Sequence, residues 1–294
     1  MSPSGLLKEE IFLSTFLDKM RMDMDLKGLS PHTKAAYFLH VKHFAEHFDK
    51  QAEQMGETEV REYLHHCIVQ RKLSASYAVV CYSALKFFYE TTLRRIWDVR
   101  AIPRIKRRKY LPNVLSKEEI LLVFDATNNI KHKAALMTAY SAGLRVSEVA
   151  NLTIADIDSK NMQILIKQGK GNRDRYSLLS KANLAILREY YKQYRPKNWL
   201  FPGHDPSKPI NPRTLTILFR DAKRKAGIKK DVTFHSLRHS FATHLLEDNV
   251  HICHIQKLLG HKSIHTTCIY LHITRLSLLN VKSPMDTMVG LGNG

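Results

Sequence analysis

The chain is 294 residues long, is 44% hydrophobic and carries a formal net charge of +19 at pH 7. That length fits one large domain or two ordinary ones, and the apolar content excludes a disordered or low-complexity chain. A positive excess of this size repels itself unless a polyanion offsets it, which points to nucleic acid, with an anionic membrane surface as the rival partner.

The first hundred residues read as helices. Ile11, Phe12, Phe16 and Leu17 recur at helical spacing, and Gly28-Leu29-Ser30-Pro31 interrupts the pattern. Ser30 and Pro31 suit an N-cap and a first helical turn. The helix that follows carries Tyr37, Val41, Phe44, Ala45 and Phe48 on one face, with Lys34, His40, Lys42, His43 and Glu46 largely elsewhere. Segments 57–70 and 74–92 repeat the pattern, the latter stacking Val80, Ala84, Leu85 and Phe88 as a core stripe. No run approaches the ~20 apolar residues of a membrane span. The most apolar one, from Tyr77 to Tyr89, is broken by Ser83 and Lys86, and Glu9 and Glu10 stand where a signal peptide would continue apolar. Residues 1–98 therefore read as a helical domain, and no membrane association is expected.

From Arg100 to Lys109 the chain has six basic residues (Arg100, Arg104, Lys106, Arg107, Arg108 and Lys109) and no acid. Such a run does not fold on itself. Residues 99–113 read as a linker, and their charges as a strap along a phosphate backbone. Ser116 with Glu119 forms a capping box that opens a second domain over 114–294. There Thr153–Ile157, Met162–Lys167 and Arg175–Leu179 read as strands, with a turn at 168–174. Helices are expected near 181–195, 212–226, 235–247, 251–259 and 263–272. The fold class is mainly α with a small antiparallel β-sheet. Cys67, Cys81, Cys253 and Cys268 form no CxxC and read as free thiols of a reducing, cytoplasmic compartment.

Chemistry concentrates in three short stretches. In Ser141-Ala142-Gly143-Leu144-Arg145-Val146-Ser147-Glu148, Gly143 suits a left-handed helix end, after which Arg145 starts a new helix and Glu148 shares its face. Spacing alone favours an ordinary surface ion pair. In His235-Ser236-Leu237-Arg238-His239, His235 and Arg238 share a helix face while Phe234, Leu237 and Phe241 turn to the core. A guanidinium there can hold two phosphate oxygens at once, although a polar helix face gives the same pattern. In the third, Gly260 ends a helix and His261 sits in the joint before the helix that bears Tyr270. Each is weak alone.

In order, Arg145, Lys170, His235, Arg238, His261 and Tyr270 resemble the signature of the tyrosine recombinase (phage integrase) family, in its Xer-like branch. The resemblance is carried by Gly-Leu-Arg-Val-Ser-Glu-Val, His-Ser-Leu-Arg-His-Ser-Phe-Ala-Thr-His-Leu-Leu, and Leu-Leu-Gly-His-Lys-Ser through Thr-Thr-Cys-Ile-Tyr. It covers almost the whole chain, since Leu29-Ser30-Pro31-His32-Thr33 looks like the opening of that family's helical core-binding domain. Ala142 stands where Thr is frequent and Asn249 where many relatives carry Gly; neither removes a catalytic group.

The resemblance implies a two-domain, C-shaped DNA clamp that acts as a site-specific recombinase. Tyr270 would attack a DNA phosphorus, forming a 3′-phosphotyrosyl link and freeing a 5′-hydroxyl. Arg145 and Arg238 would clamp the non-bridging oxygens, and Lys170, in a hairpin turn, would protonate the departing oxygen. His235 and His261 would hydrogen-bond the phosphate, His235 also assisting proton transfer from Tyr270, and Glu148 would orient the arginine or a histidine. A free tyrosine has a pKa of ~10, so a nearby cationic site is expected to favour its phenolate. The covalent link retains the phosphodiester energy, so no cofactor and no metal are expected. Gly260-His261-Lys262-Ser263 fails the phosphate-loop pattern, and Asp156 and Asp158 read as closing a strand rather than as a metal pair.

The implied partners are double-stranded DNA recombination sites and further copies of the chain. A homotetramer would exchange strands through a Holliday junction, with or without a partner recombinase. The tail bearing Leu276, Leu278, Leu279, Val281 and Met285 would dock on a neighbouring protomer. Backbone contacts are assigned to Lys34, Arg104, Lys106, Arg107, Arg108, Lys109, Lys223 and Arg224, with Lys225, Lys229 and Lys230 beside the last two. Besides a catalytically idle DNA-binding protein, two alternatives remain open. One is a type IB topoisomerase-like relaxing enzyme on the same residues. The other is a zinc-binding DNA-binding protein built from His251, Cys253, His254, His261, His265, Cys268 and His272.

Overall fold

The computed structural model describes residues 16–96, 102, 111–169 and 173–272. The chain divides into two compact units between Lys109 and Tyr110. The first holds α1 (16–26), α2 (Pro31–Phe48), α3 (Glu57–His65) and α4 (Ala75–Lys86). Side chains set where these helices begin. Ser30 Oγ accepts from the Thr33 amide at 3.2 Å, with Pro31 in the first turn, and Ser74 Oγ accepts from the Tyr77 amide at 3.1 Å. Helices α3 and α4 each widen at their ends into π-helical turns, His66–Gln70 and Phe87–Thr92.

Met20, Met24, Val41, Phe44, Tyr63, Leu85 and Phe88 form this unit's core. Contrary to the expected face, His40 is buried and meets Tyr77 edge-on, with ring centroids 4.7 Å apart. Packing of α4 on α2 widens the buried arc to include it. Ile102, inside the basic stretch, is also buried in this core. Arg104, Lys106, Arg107, Arg108 and Lys109 lie outside the described residues.

The second unit opens with α5 (Lys117–Asp125), where Ser116 Oγ accepts from the Glu119 amide at 3.2 Å and Glu119 accepts from the Ser116 amide at 2.8 Å. There follow α6 (Ile130–Ser141), α7 (Val146–Ala150), β1 (Ile157–Asp158), β2 (Gln163–Gly169), β3 (Arg173–Leu178), α8 (Lys181–Tyr194) and α9 (Pro212–Lys225). Then come α10 (Phe234–Glu247), α11 (Ile252–Leu259), α12 (Ile264–Thr267) and a 3₁₀ turn, Cys268–His272. The sheet is antiparallel in the order β1-β2-β3. A mainly α chain with a small antiparallel sheet is thus what the molecule shows.

Two expected elements differ. Most of the predicted strand at 153–157 is a 3₁₀ turn, Ile154–Asp156, because the Asp156 carboxylate folds back to accept from both the amide and the hydroxyl of Thr153 at 2.8 Å. The predicted helix at 263–272 is regular only to Thr267 and continues as a 3₁₀ turn, Cys268–His272. Tyr270 consequently stands on the tighter 3₁₀ turn.

Helix α10 is the central strut of this unit: ten of its fourteen residues are buried, so its side chains are fixed by packing on nearly every face. It crosses α6 near Gly143, whose φ is +62°. A Cβ at Gly143 would stand 2.3 Å from Phe241 Cδ1. Gly227 also has a positive φ, +72°, but faces open space. Gly227→Ala should therefore cost about 1–2 kcal/mol of backbone strain, whereas Gly143→Ala should cost clearly more. Urea unfolding midpoints of the two variants check this; equal midpoints would show that the α6–α10 approach is looser than described.

Candidate active site

The site is assembled around one carboxylate. Where α6 ends, the left-handed Gly143 turns the chain so that Arg145 becomes the N-cap of α7, and Glu148 lies one turn into that helix. Glu148 accepts from the Arg145 amide at 2.9 Å and from Arg145 Nη1 at 2.6 Å. From β3, Arg175 Nη1 and Nη2 donate to its two oxygens at 2.9 and 2.8 Å, and Arg238 Nη1 stands 3.7 Å from Oε2. The Glu148 side chain is 6% exposed. Burial alone would raise its pKa; the Arg175 hydrogen bonds and charge, with the Arg145 amide and guanidinium, pull it down to about 2.

Arg238, on α10, is 1% exposed. It spends two donors on the backbone, Nη1 to the Gly143 carbonyl at 2.8 Å and Nη2 to that of Leu259 at 2.5 Å. Burial and the neighbouring Arg145 charge lower its pKa to about 9, so it stays protonated at neutral pH. Because those carbonyls close α6 and α11, Arg238 ties both helix ends to α10.

Arg145, His235, Arg238 and His261 line one pocket of about 530 Å³, with Gly260, Lys262, Ser263 and Thr266 completing the wall. His261 Nδ1 is 2.9 Å from Thr267 Oγ1. With that hydroxyl as donor, Nε2 carries the ring proton and is a donor itself. Burial and then the Arg238 and Arg145 charges depress the His261 pKa to about 3, and the same causes lower His235. At neutral pH these imidazoles are hydrogen-bonding groups rather than cations.

Tyr270 is not among the residues lining that pocket. Its side chain is 1% exposed and its hydroxyl lies 3.0 Å from His239 Nδ1. His239, lowered to about 4 by burial and by the His235 and Arg238 charges, packs edge-on against His235 at 4.5 Å. The expectation that cations make the phenol more acidic meets a stronger opposing effect: burial raises the Tyr270 pKa and Arg238 and Arg145 only partly offset it. His239, not His235, is the imidazole at the phenol oxygen.

The remaining sequence candidates are scattered. Lys170 lies outside the described residues. Lys34, on α2, pairs with Asp25. On α9, Arg224 is exposed and pairs with Asp221 at 3.4 Å, while Lys223 is half-buried. Lys230 is tied to Glu119 at 2.6 Å. Among the described residues no group of three or more His, Cys, Asp or Glu side chains is placed to hold a metal, which disfavours the zinc alternative. Arg175 and His239 were not singled out from the sequence. Arg175 shares the inward face of β3 with the buried Ser177, and a charged residue at an inward strand position was the available signal.

The Phage integrase family profile matches residues 113–276, and that of the phage integrase N-terminal SAM-like domain matches residues 16–99. The chain belongs to the phage integrase family. It is 37% identical over 281 residues to a putative integrase/recombinase, y4qK, of Sinorhizobium fredii, covering 95% of this chain and 91% of that protein. It is 31% identical to the tyrosine recombinase XerA of Pyrococcus horikoshii, covering 91% and 92%. Its fold matches that of a lambda integrase tetramer bound to a Holliday junction with a TM-score of 0.72, at 20% identity, over 88% of this chain and 76% of that one. Within the family it is a Xer-like tyrosine recombinase, an enzyme of site-specific DNA recombination.

The recombinase's native site excludes protons that its unfolded chain accepts. His239 and His261 fall from 6.5 to about 4 and 3, so their share of stability is complete above pH 6.5 and is lost as pH falls toward those values. Glu148, lowered from 4.5 to about 2, adds a further loss below pH 4.5. The thermal midpoint should be level above about pH 7 and decline on acidification, with His239→Gln flattening the limb between pH 6.5 and 4. A midpoint that rises as pH falls through 6 would contradict these assignments.

Proposed function

We propose that this recombinase cuts and rejoins DNA through a 3′-phosphotyrosyl ester on Tyr270, with Arg145, Lys170, His235, Arg238 and His261 as its catalytic groups. The observation that supports this most is the convergence of Arg145, His235, Arg238 and His261 on one pocket beside the buried tyrosine. In that pocket two guanidiniums meet the charge that builds on the non-bridging oxygens, in surroundings drier than water. Neutral His261 donates from Nε2, and His235 hydrogen-bonds a second oxygen. The Tyr270 oxygen forms the new bond to phosphorus, the bond to the 5′-oxygen breaks, and Lys170 supplies the proton to that oxygen. The phenol proton passes to an imidazole; His239 is the one within reach at 3.0 Å. Glu148 holds Arg145 in line throughout.

Tyr270 leaves its buried position to reach the phosphorus, passing its proton to His239 as it departs. Burial keeps the phenol protonated until then. We assign residues 1–98 to core DNA binding, 99–113 to a basic linker and 114–294 to catalysis. The assembly is a clamp on duplex DNA that works as a tetramer on paired sites in the cytoplasm, exchanging strands through a Holliday junction. The fold's likeness to a lambda integrase tetramer on such a junction supports this.

A nicked duplex that traps the cleaved state tests the chemistry. The wild-type chain should become covalently attached, and Tyr270→Phe should bind the duplex with unchanged affinity and never attach. Arg145→Ala should slow attachment by roughly 10²–10³-fold. Attachment that persists in Tyr270→Phe would overturn the assignment.

A further inference from the structure

Among the described residues, every hydrogen bond of the Arg175 side chain ends on groups that hold the pocket's residues, although Arg175 does not line the pocket itself. Its Nη1 and Nη2 bridge both oxygens of Glu148, the carboxylate that holds Arg145. Its Nε donates to the Leu258 carbonyl at 2.9 Å, one residue before the carbonyl that receives Arg238 and three before His261. The side chain runs beneath the backbone of Gly260. A Cβ there would stand 2.7 Å from Arg175 Cδ, and Gly260 has a φ of +64°. One guanidinium, 10% exposed, therefore joins β3, α7 and the end of α11.

We propose that Arg175 is a positioning residue for the phosphate pocket, orienting Arg145 through Glu148 and fixing the Leu258–His261 joint through the Leu258 carbonyl. The proposal rests on that pocket being the place of DNA cleavage. An arginine is required because its planar fork meets two carboxylate oxygens and a carbonyl on a third side at once; an ammonium at the end of a lysine cannot span all three. Arg175 is not among the residues lining the pocket, so its removal should act on the rate of the chemical step and not on DNA affinity. It also belongs to β3, which pairs with β2, so it links that strand pair to the cationic groups.

The test compares Arg175→Lys and Arg175→Gln with the wild type, in single-turnover attachment to the nicked duplex at saturating protein. The Kd for the intact duplex and the thermal midpoint are measured alongside. Attachment should slow about 100-fold with Kd unchanged, and Glu148→Gln combined with Arg175→Lys should be no slower than the worse single variant. Added guanidinium ion should restore part of the rate to Arg175→Ala. Wild-type rates in both Arg175→Lys and Arg175→Gln, or a loss that follows the folded fraction or the DNA affinity, would overturn the proposal. A readout independent of cleavage is the Arg145 Nε–H signal in ¹⁵N spectra. It should be well dispersed in the wild type and collapse toward the free-arginine position in Arg175→Lys; an unmoved signal would overturn the proposal. If the wild type fails to attach through Tyr270 while that signal collapses, the cleavage reading fails and the positioning role stands.

Discussion

Everything in the second unit's pocket depends on an ionised carboxylate held almost out of water. Removing Glu148 from solvent is costly unless its charge is met by well-placed donors. Arg145 and Arg175 meet it from two elements, and Arg238 stands close by. Three guanidiniums around one carboxylate leave the cluster with a positive excess, so the pocket at its edge is built for an anion. Because the arginines are locked by carbonyls and by Glu148, little reorganisation is needed to meet an anion there.

The same positive field explains the state of the other groups. His235, His239 and His261 all hold their protons less tightly than usual, since burial and the arginine charges both disfavour a second positive charge on the ring. They act as neutral donors and acceptors, with Thr267 fixing one face of His261 and Tyr270 facing His239. For Tyr270 the field and the burial oppose each other. Burial wins, which keeps the phenol protonated while it sits inside the protein.

Much of this architecture was legible in the sequence. Ser30, Ser74 and Ser116 each begin a helix as their chemistry dictates, and Gly143 takes the left-handed conformation that its place after α6 demands. The motif residues Arg145, His235, Arg238 and His261 meet in one pocket. Less legible were features decided by local side-chain reach or by tertiary contact. Asp156 bends a segment that reads as strand, because its carboxylate lies within reach of Thr153. The sequence places Arg175 only at the start of a strand, and the pairing of β3 with β2, with the end of α11 packed over it, shows that Arg175 is enclosed. His239 was overshadowed by the i, i+3 pairing of His235 with Arg238. Its partner Tyr270 is 31 residues away, a relation that no local pattern reveals.

The central claim is that this cluster exists to meet negative charge on a DNA phosphate. Single-turnover cleavage of a duplex whose reacting phosphate is replaced by an uncharged methylphosphonate tests it most directly. Arg145→Ala, strongly impaired on the phosphate, should lose most of its deficit relative to wild type on the methylphosphonate. An equal deficit on both substrates would mean that Arg145 serves some purpose other than charge stabilisation.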